Sequence, residues 1–163
     1  MKPHPPISPK AFRDAMALIP AQVSVLTTDG PAGPYGITVS SLCPVSDTPP
    51  TVLACINRKG LANSVFKENK SVGVNVLGVG QEPVGTAYAG GLDSQTLFDK
   101  TVWELGAGSP PRLKQAPVTL DGHIVSEVEV GTHTVFFIEI DAVFPGADVN
   151  ALVYYRRGYK EFR

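Results

Sequence analysis

Apolar residues in this chain fall into many short runs punctuated by glycine and proline, not into a few long ones. Runs rich in valine and isoleucine at 22–28, 36–42, 51–57, 72–77, 118–130, 133–144 and 151–155 predict strands, several of them alternating with a period of two. Within 124–130, Ile124, Val128 and Val130 share a phase that Ser126 interrupts, which predicts a half-buried strand. Two stretches predict helix. Ser8 reads as an N-cap with Pro9 behind it, and Phe12, Met16 and Ile19 recur at helical spacing until Pro20. After Gly60, Leu61, Val65 and Phe66 share one face, and Asn69 and Lys70 end the run. Residues 78–117 are rich in glycine and proline. They predict a long excursion with helical turns near 81–88 and 94–98, lying over a site or a partner subunit. Strands in succession without regular intervening helices predict an antiparallel barrel, mainly β with a few short helices, in a single domain spanning 1–163 with residues 1–7 as a disordered tail.

Composition narrows the function. With 14 basic and 15 acidic side chains the net charge is −1, which supplies no field to hold a nucleic acid or an anionic membrane. No window approaches the ~20 apolar residues of a membrane span, and the first residues lack a signal-peptide pattern, so a cytoplasmic location is expected. Cys43 and Cys55 lie in apolar runs without CxxC spacing and are expected to be buried free thiols. His4 sits in a proline-rich tail. His123 and His133 fall on neighbouring predicted strands, but no carboxylate or thiol is spaced to complete a metal set, and none is expected. Gly78-Val79-Gly80 is not a dinucleotide fingerprint and lies outside any βαβ unit.

Three segments carry candidate chemistry. Gly36-Ile37-Thr38-Val39-Ser40-Ser41 places three hydroxyls at the end of an apolar strand, either for a ligand or for local backbone groups. In Cys55 to Ser64 an apolar strand ends in Asn57, Arg58 and Lys59 and leads into a helix. That order suits an anion, because helix N–H groups, Asn63, Ser64 and a cation converge on it, although a solvated loop with an ordinary cap reads the same way. Tyr154-Tyr155-Arg156-Arg157-Gly158-Tyr159 combines aromatic planes with guanidinium groups, which suits a flat heterocycle or a subunit interface equally.

Taken together, Phe12 to Met16, Gly36 to Ser41, Asp47-Thr48-Pro49-Pro50, Cys55-Ile56-Asn57, Val74 to Leu77, Tyr88-Ala89-Gly90, Gly131-Thr132-His133 and Tyr154 to Tyr159 resemble, in order, the flavin reductase domain of two-component aromatic monooxygenases, in particular the reductase component of 4-hydroxyphenylacetate 3-monooxygenase. The resemblance implies a Greek-key, FMN-binding split barrel that forms a homodimer. It implies non-covalent FMN or FAD, NADH or NADPH as hydride donor, and an oxygenase component that receives the reduced flavin. It also implies that Thr38, Val39, Ser40 and Ser41 cradle the flavin, with Gly90 nearby. Asn57, Lys59, Leu61, Ala62 and Asn63 would hold its ribityl phosphate, His133 would face the nicotinamide as the catalytic residue, and Tyr154, Arg156 and Tyr159 would close the pocket. A flavin carries such redox chemistry itself, so no nucleophile or carboxylate pair is needed. A flavin-storing barrel and a ferric reductase are the alternatives on the same fold.

Overall fold

A computed structural model describes residues 5–90, 98–146 and 150–162. In chain order the elements are α1 (Pro9–Met16), β1 (Ala21–Gln22), β2 (Ser24–Thr28), β3 (Tyr35–Val39), β4 (Cys43–Asp47), β5 (Pro50–Asn57), α2 (Leu61–Asn69) and β6 (Ser71–Val76). There follow α3 (Glu82–Ala87), β7 (Trp103–Gly106), β8 (Ser109–Leu113), β9 (Val118–Val130), β10 (His133–Pro145), β11 (Ala151–Tyr155) and β12 (Gly158–Phe162).

Seven strands form one sheet in the order β3-β2-β6-β9-β10-β5-β4, and every pairing in it is antiparallel. Its inner face gathers Leu26, Ile56, Phe66, Val72, Val74, Phe136 and Ile138 into a buried core. No ladder joins β3 to β5. At that seam the Ser41 hydroxyl accepts from the Cys55 N–H (3.0 Å) and donates to the Cys55 carbonyl (3.3 Å). Alongside, α2 buries Ala62, Asn63, Val65 and Phe66. This is the split of the predicted barrel. Burying Phe66 alone stabilises the plug by about 1.5–3 kcal/mol.

A second core lies on the outer side of β2, where Val23, Val25, Leu77, Tyr88, Trp103, Leu113 and Leu152 are buried. Much of the 78–117 segment makes it. The structure places α3 there, on the helical turn predicted near 81–88, and the β7–β8 hairpin, where the sequence predicts only an irregular excursion. The 94–98 turn falls mostly outside the described residues. Asn75, fully buried on β6, donates to the Val25 carbonyl and accepts from the Leu113 N–H, pinning β8 to the barrel. Tyr88, Phe98 and Trp103 pack as three mutually tilted rings with centroids 5.3–5.5 Å apart. A Cβ on Gly36 would stand 2.8 Å from the Tyr88 ring, so glycine is what lets the ring lie against β3.

Two expectations are corrected. A bulge between Phe137 and Ile138 reverses the phase of β9, so Ile124 is buried while Val128 and Val130 are exposed on the opposite face. Cys43 is exposed and Cys55 half-buried, because both face away from the barrel core on β4 and β5.

Candidate active site

β3 is an edge strand of the large sheet, and the chain leaves it through Ser40 and Ser41. Two of the three hydroxyls in this segment are committed to the fold. Thr38 Oγ1 donates to the Gly85 carbonyl at 2.7 Å while the Thr38 N–H donates to the Tyr88 carbonyl at 3.0 Å, tying β3 to α3. Ser41 closes the seam already described. Ser40 is exposed, and its hydroxyl has no partner among the described residues.

A cavity opens on each side of residues 38–40. The first, about 240 Å³, lies toward β5 and is lined by Ile37 to Ser41, Cys55, Ile56, Asn57 and His133. Asn57 and His133 are register partners on β5 and β10 and so stand side by side. Thr132 Oγ1 lies 2.8 Å from His133 Nδ1, which leaves Nε2 for a ligand. His123, considered above as a metal partner, is paired with Asp141 at 2.8 Å and lies seven residues down β9 from the partner of His133, roughly 23 Å away.

Past Asn57 the turn into α2 settles which cation is available. Asn57 Oδ1 accepts from the Lys59 N–H at 2.9 Å, forming an Asx turn. Arg58 is engaged: it pairs with Glu129 at 2.7 Å and donates to the Gly131 carbonyl, binding this turn to the β9–β10 turn. The exposed Lys59 ammonium has no partner among the described residues. Helix α2 begins after its N-cap Gly60 with no side-chain cap; the Asn63 N–H donates to the Gly60 carbonyl at 3.3 Å, and the N–H groups before it, around the exposed Leu61, are open to an anion. Ala62 and Asn63 are buried, and Asn63 Nδ2 donates to the Ile56 carbonyl, so these two hold the helix in place.

The second cavity, about 310 Å³, lies toward α3 and is lined by Val23, Thr38 to Ser40, Thr86, Ala89, Tyr154 and Arg157 to Tyr159. Gly90, exposed, follows Ala89. Tyr154 and Tyr159 meet edge to face with centroids 5.6 Å apart. Arg156 lies instead over the Tyr155 ring, away from the cavity lining. Arg157, which the sequence reading leaves unassigned, faces it. The β11–β12 hairpin turns on this pair, with φ of 51° at Arg156 and 61° at Arg157, where asparagine and glycine are the usual occupants. Strict alternation through a two-residue turn is the signal that could have separated the two arginines.

Burial of the Tyr88 phenol pushes its pKa well above the ordinary range, so it stays neutral behind the wall between the cavities. The arrangement combines two adjoining clefts, a free hydroxyl, a free cation by an open helix start and an unengaged imidazole edge. It suits a flat, phosphate-bearing ligand with a second reactant beside it.

Comparison with known proteins gives the family of the chain. Residues 16–163 match the family profile of the flavin reductase like domain. FMN reductase (NADH) RutF of Escherichia coli O45:K1 strain S88 is 40% identical over 153 residues, covering 94% of this chain and 93% of that one. Among solved structures, a protein of Haemophilus somnus 129PT designated a flavin reductase superposes with a TM-score of 0.90 at 33% identity, covering 96% of this chain and 100% of that one. BorF, the flavin reductase component of a bacterial two-component tryptophan halogenase, gives 0.88 at 25% identity, covering 95% and 98%.

Proposed function

Because the chain belongs to the flavin reductase like domain family, we propose that it binds FMN non-covalently along residues 38–41, reduces it with NADH, and supplies the reduced flavin to an oxygenase partner. The observation that carries this reading is the first cavity, where Ser40, Asn57 and His133 meet two residues before the unpaired Lys59. The donor set fits a flavin mononucleotide. Ser40 would face the polar edge of the ring, while Lys59 and the start of α2 would neutralise the phosphate. When bound, the flavin supplies the acceptor for a hydride. The chain supplies placement: Asn57 fixes the turn, His133 orients the nicotinamide through its free edge, and Tyr154 and Tyr159 flank the neighbouring cleft. BorF serves a two-component tryptophan halogenase, which supports a separate partner component that takes the reduced flavin.

A homodimer completes the reading. Asn57, Cys55 and Leu53 on β5 lie beside His133, Val135 and Phe137 on β10, and beside Val130, Val128 and Ser126 on β9. This face is largely apolar, and Val128 and Val130 are 49% and 60% exposed in the single chain. A second copy seated on it would wall in the first cavity.

The test is NADH oxidation by purified protein with FMN added. Lys59→Gln is expected to weaken FMN binding about tenfold while sparing riboflavin. His133→Ala is expected to slow reduction at unchanged FMN affinity. No flavin-dependent NADH oxidation by the unmodified protein refutes the reading, and sedimentation equilibrium decides the dimer.

A further inference from the structure

The ladder between β5 and β10 ends at Asn57 and His133, so the imidazole stands on the last rung, next to the tip of the β9–β10 hairpin. Val130 pairs with His133, which makes Gly131 and Thr132 a two-residue turn, with Gly131 at a φ of 55°. The placement of His133 therefore depends on what holds that tip. Arg58 holds it with both main chain and side chain. Its N–H donates to the Thr132 carbonyl at 2.9 Å, its Nη1 donates to the Gly131 carbonyl at 3.2 Å, and its Nη2 pairs with Glu129 at 2.7 Å. Glu129 is fixed in turn from α2, where Lys67 lies 2.9 Å from its other carboxylate oxygen. Thr132 carries the restraint onward, with its Oγ1 2.8 Å from His133 Nδ1.

As a source of stability the Arg58–Glu129 pair counts for little, because its side chains are 44% and 46% accessible. Its geometry is more specific than that. One planar guanidinium spans a carboxylate and a main-chain carbonyl of the same hairpin tip, a fork that a flexible ammonium would not reproduce. Arg58 follows Asn57, which lines the first cavity, but Arg58 lines neither cavity itself. We infer that Arg58 is a positioning residue for hydride transfer: it touches no ligand, and by tying the β9–β10 tip to the turn after β5 it sets where His133 stands relative to a flavin along residues 38–41. The inference rests on the reductase reading and adds to it a residue that acts only through His133. A shift of roughly 1 Å in such an orienting group can cost about 10²-fold in rate, so even a partial loosening of the tip is measurable.

The experiment follows FMN reduction by NADH in anaerobic rapid mixing, at saturating concentrations of both, for the full-length protein and its R58Q, H133A and R58Q/H133A variants, with FMN affinity measured by separate titration. Arg58→Gln keeps the main-chain bond to Thr132 and removes both guanidinium ties. It is expected to slow reduction about tenfold at unchanged FMN affinity. In the His133→Ala background the same substitution is expected to change the rate by less than about twofold, because the residue it positions is gone. Glu129→Gln, which releases the guanidinium while leaving Arg58 in place, is expected to slow reduction several-fold only while His133 is present, and it reads the same effect should R58Q fold poorly. An R58Q that reduces FMN at the parent rate, or that slows H133A as much as it slows the parent, overturns the inference. So does an R58Q that loses FMN affinity as Lys59→Gln does, since Arg58 would then be a phosphate ligand, and so does an H133A as fast as the parent. Wild-type protein that does not reduce FMN with NADH overturns the reductase reading and this inference with it, whereas normal wild-type reduction with an indifferent R58Q removes this inference alone.

Discussion

Substituting Gly36 by alanine tests whether the wall between the two cavities is as tightly built as the packing indicates. The new Cβ would meet Cδ1 and Cε1 of Tyr88 at 2.8 Å and Cζ of Phe98 at 3.3 Å, against an ordinary contact distance of 3.4–4 Å. Tyr88 cannot simply turn aside, because Phe98 and Trp103 brace its ring at centroid distances of 5.5 and 5.4 Å. The cheaper response is for β3 and α3 to separate by several tenths of an ångström. That stretches the two bonds joining them, from the Thr38 N–H to Tyr88 and from Thr38 Oγ1 to Gly85. Overpacking of this kind costs about 1–3 kcal/mol. For a chain of this length a loss of about 2 kcal/mol lowers the melting temperature by roughly 4–8 °C. Thermal unfolding followed by circular dichroism measures it, and flavin titration of the same sample should show weaker binding, because residues 38–40 line both cavities. A variant that melts within a degree of the parent refutes the reasoning.

Ser41→Ala removes both seam bonds to Cys55 and leaves a half-buried N–H and carbonyl without their partner. It should destabilise the chain by about 1–3 kcal/mol in urea unfolding, and an unchanged midpoint would show that α2 alone holds the seam. The Asp14 carboxyl is held below the usual range, first by its hydrogen bond from Lys10 and then by that from Arg157. A depressed folded value means its contribution to seating α1 is present above the ordinary carboxylate pKa and is lost as pH falls through the lower one. NMR titration should therefore find Asp14 ionising below the pH at which an ordinary aspartate does, with α1 amides exchanging faster under more acid conditions; an ordinary Asp14 titration would sever the pair with Arg157 from the seating of α1.

Much of this architecture is legible in the residue pattern where a strand has one apolar face or is buried throughout. β9 and β11 fall on their predicted bounds, and β5, β6 and β10 within a residue at either end. The strands that escape notice are those whose chemistry speaks against them. β4 and β8 contain proline, tolerated because β4 is the edge of its sheet and β8 belongs to a two-stranded one. β12 is largely polar and follows a turn of two arginines, not the asparagine-glycine that announces a hairpin. The bulge in β9 leaves no mark in the residues themselves, since it arises from the pairing with β10. At the candidate site the segments 38–41 and 57–63 are legible as places where apolar strands end in polar groups. Which of their side chains remain available is not, because that depends on partners far along the chain. Thr38 is consumed by Gly85, Ser41 by Cys55, and Arg58 by Glu129.

The seam between β3 and β5 is held by a serine hydroxyl and a docked helix, with no rung of main-chain bonds across it. Elsewhere around the barrel, neighbouring strands dictate one another's alignment, and a change in one is felt along its whole length. Across the gap nothing imposes that discipline. Ser41 apart, the stretch from Ser40 to Leu42 can thus trade residues to suit a different ligand while the seven strands keep their pairing, and one scaffold can be retuned from one redox dye to another without being refolded.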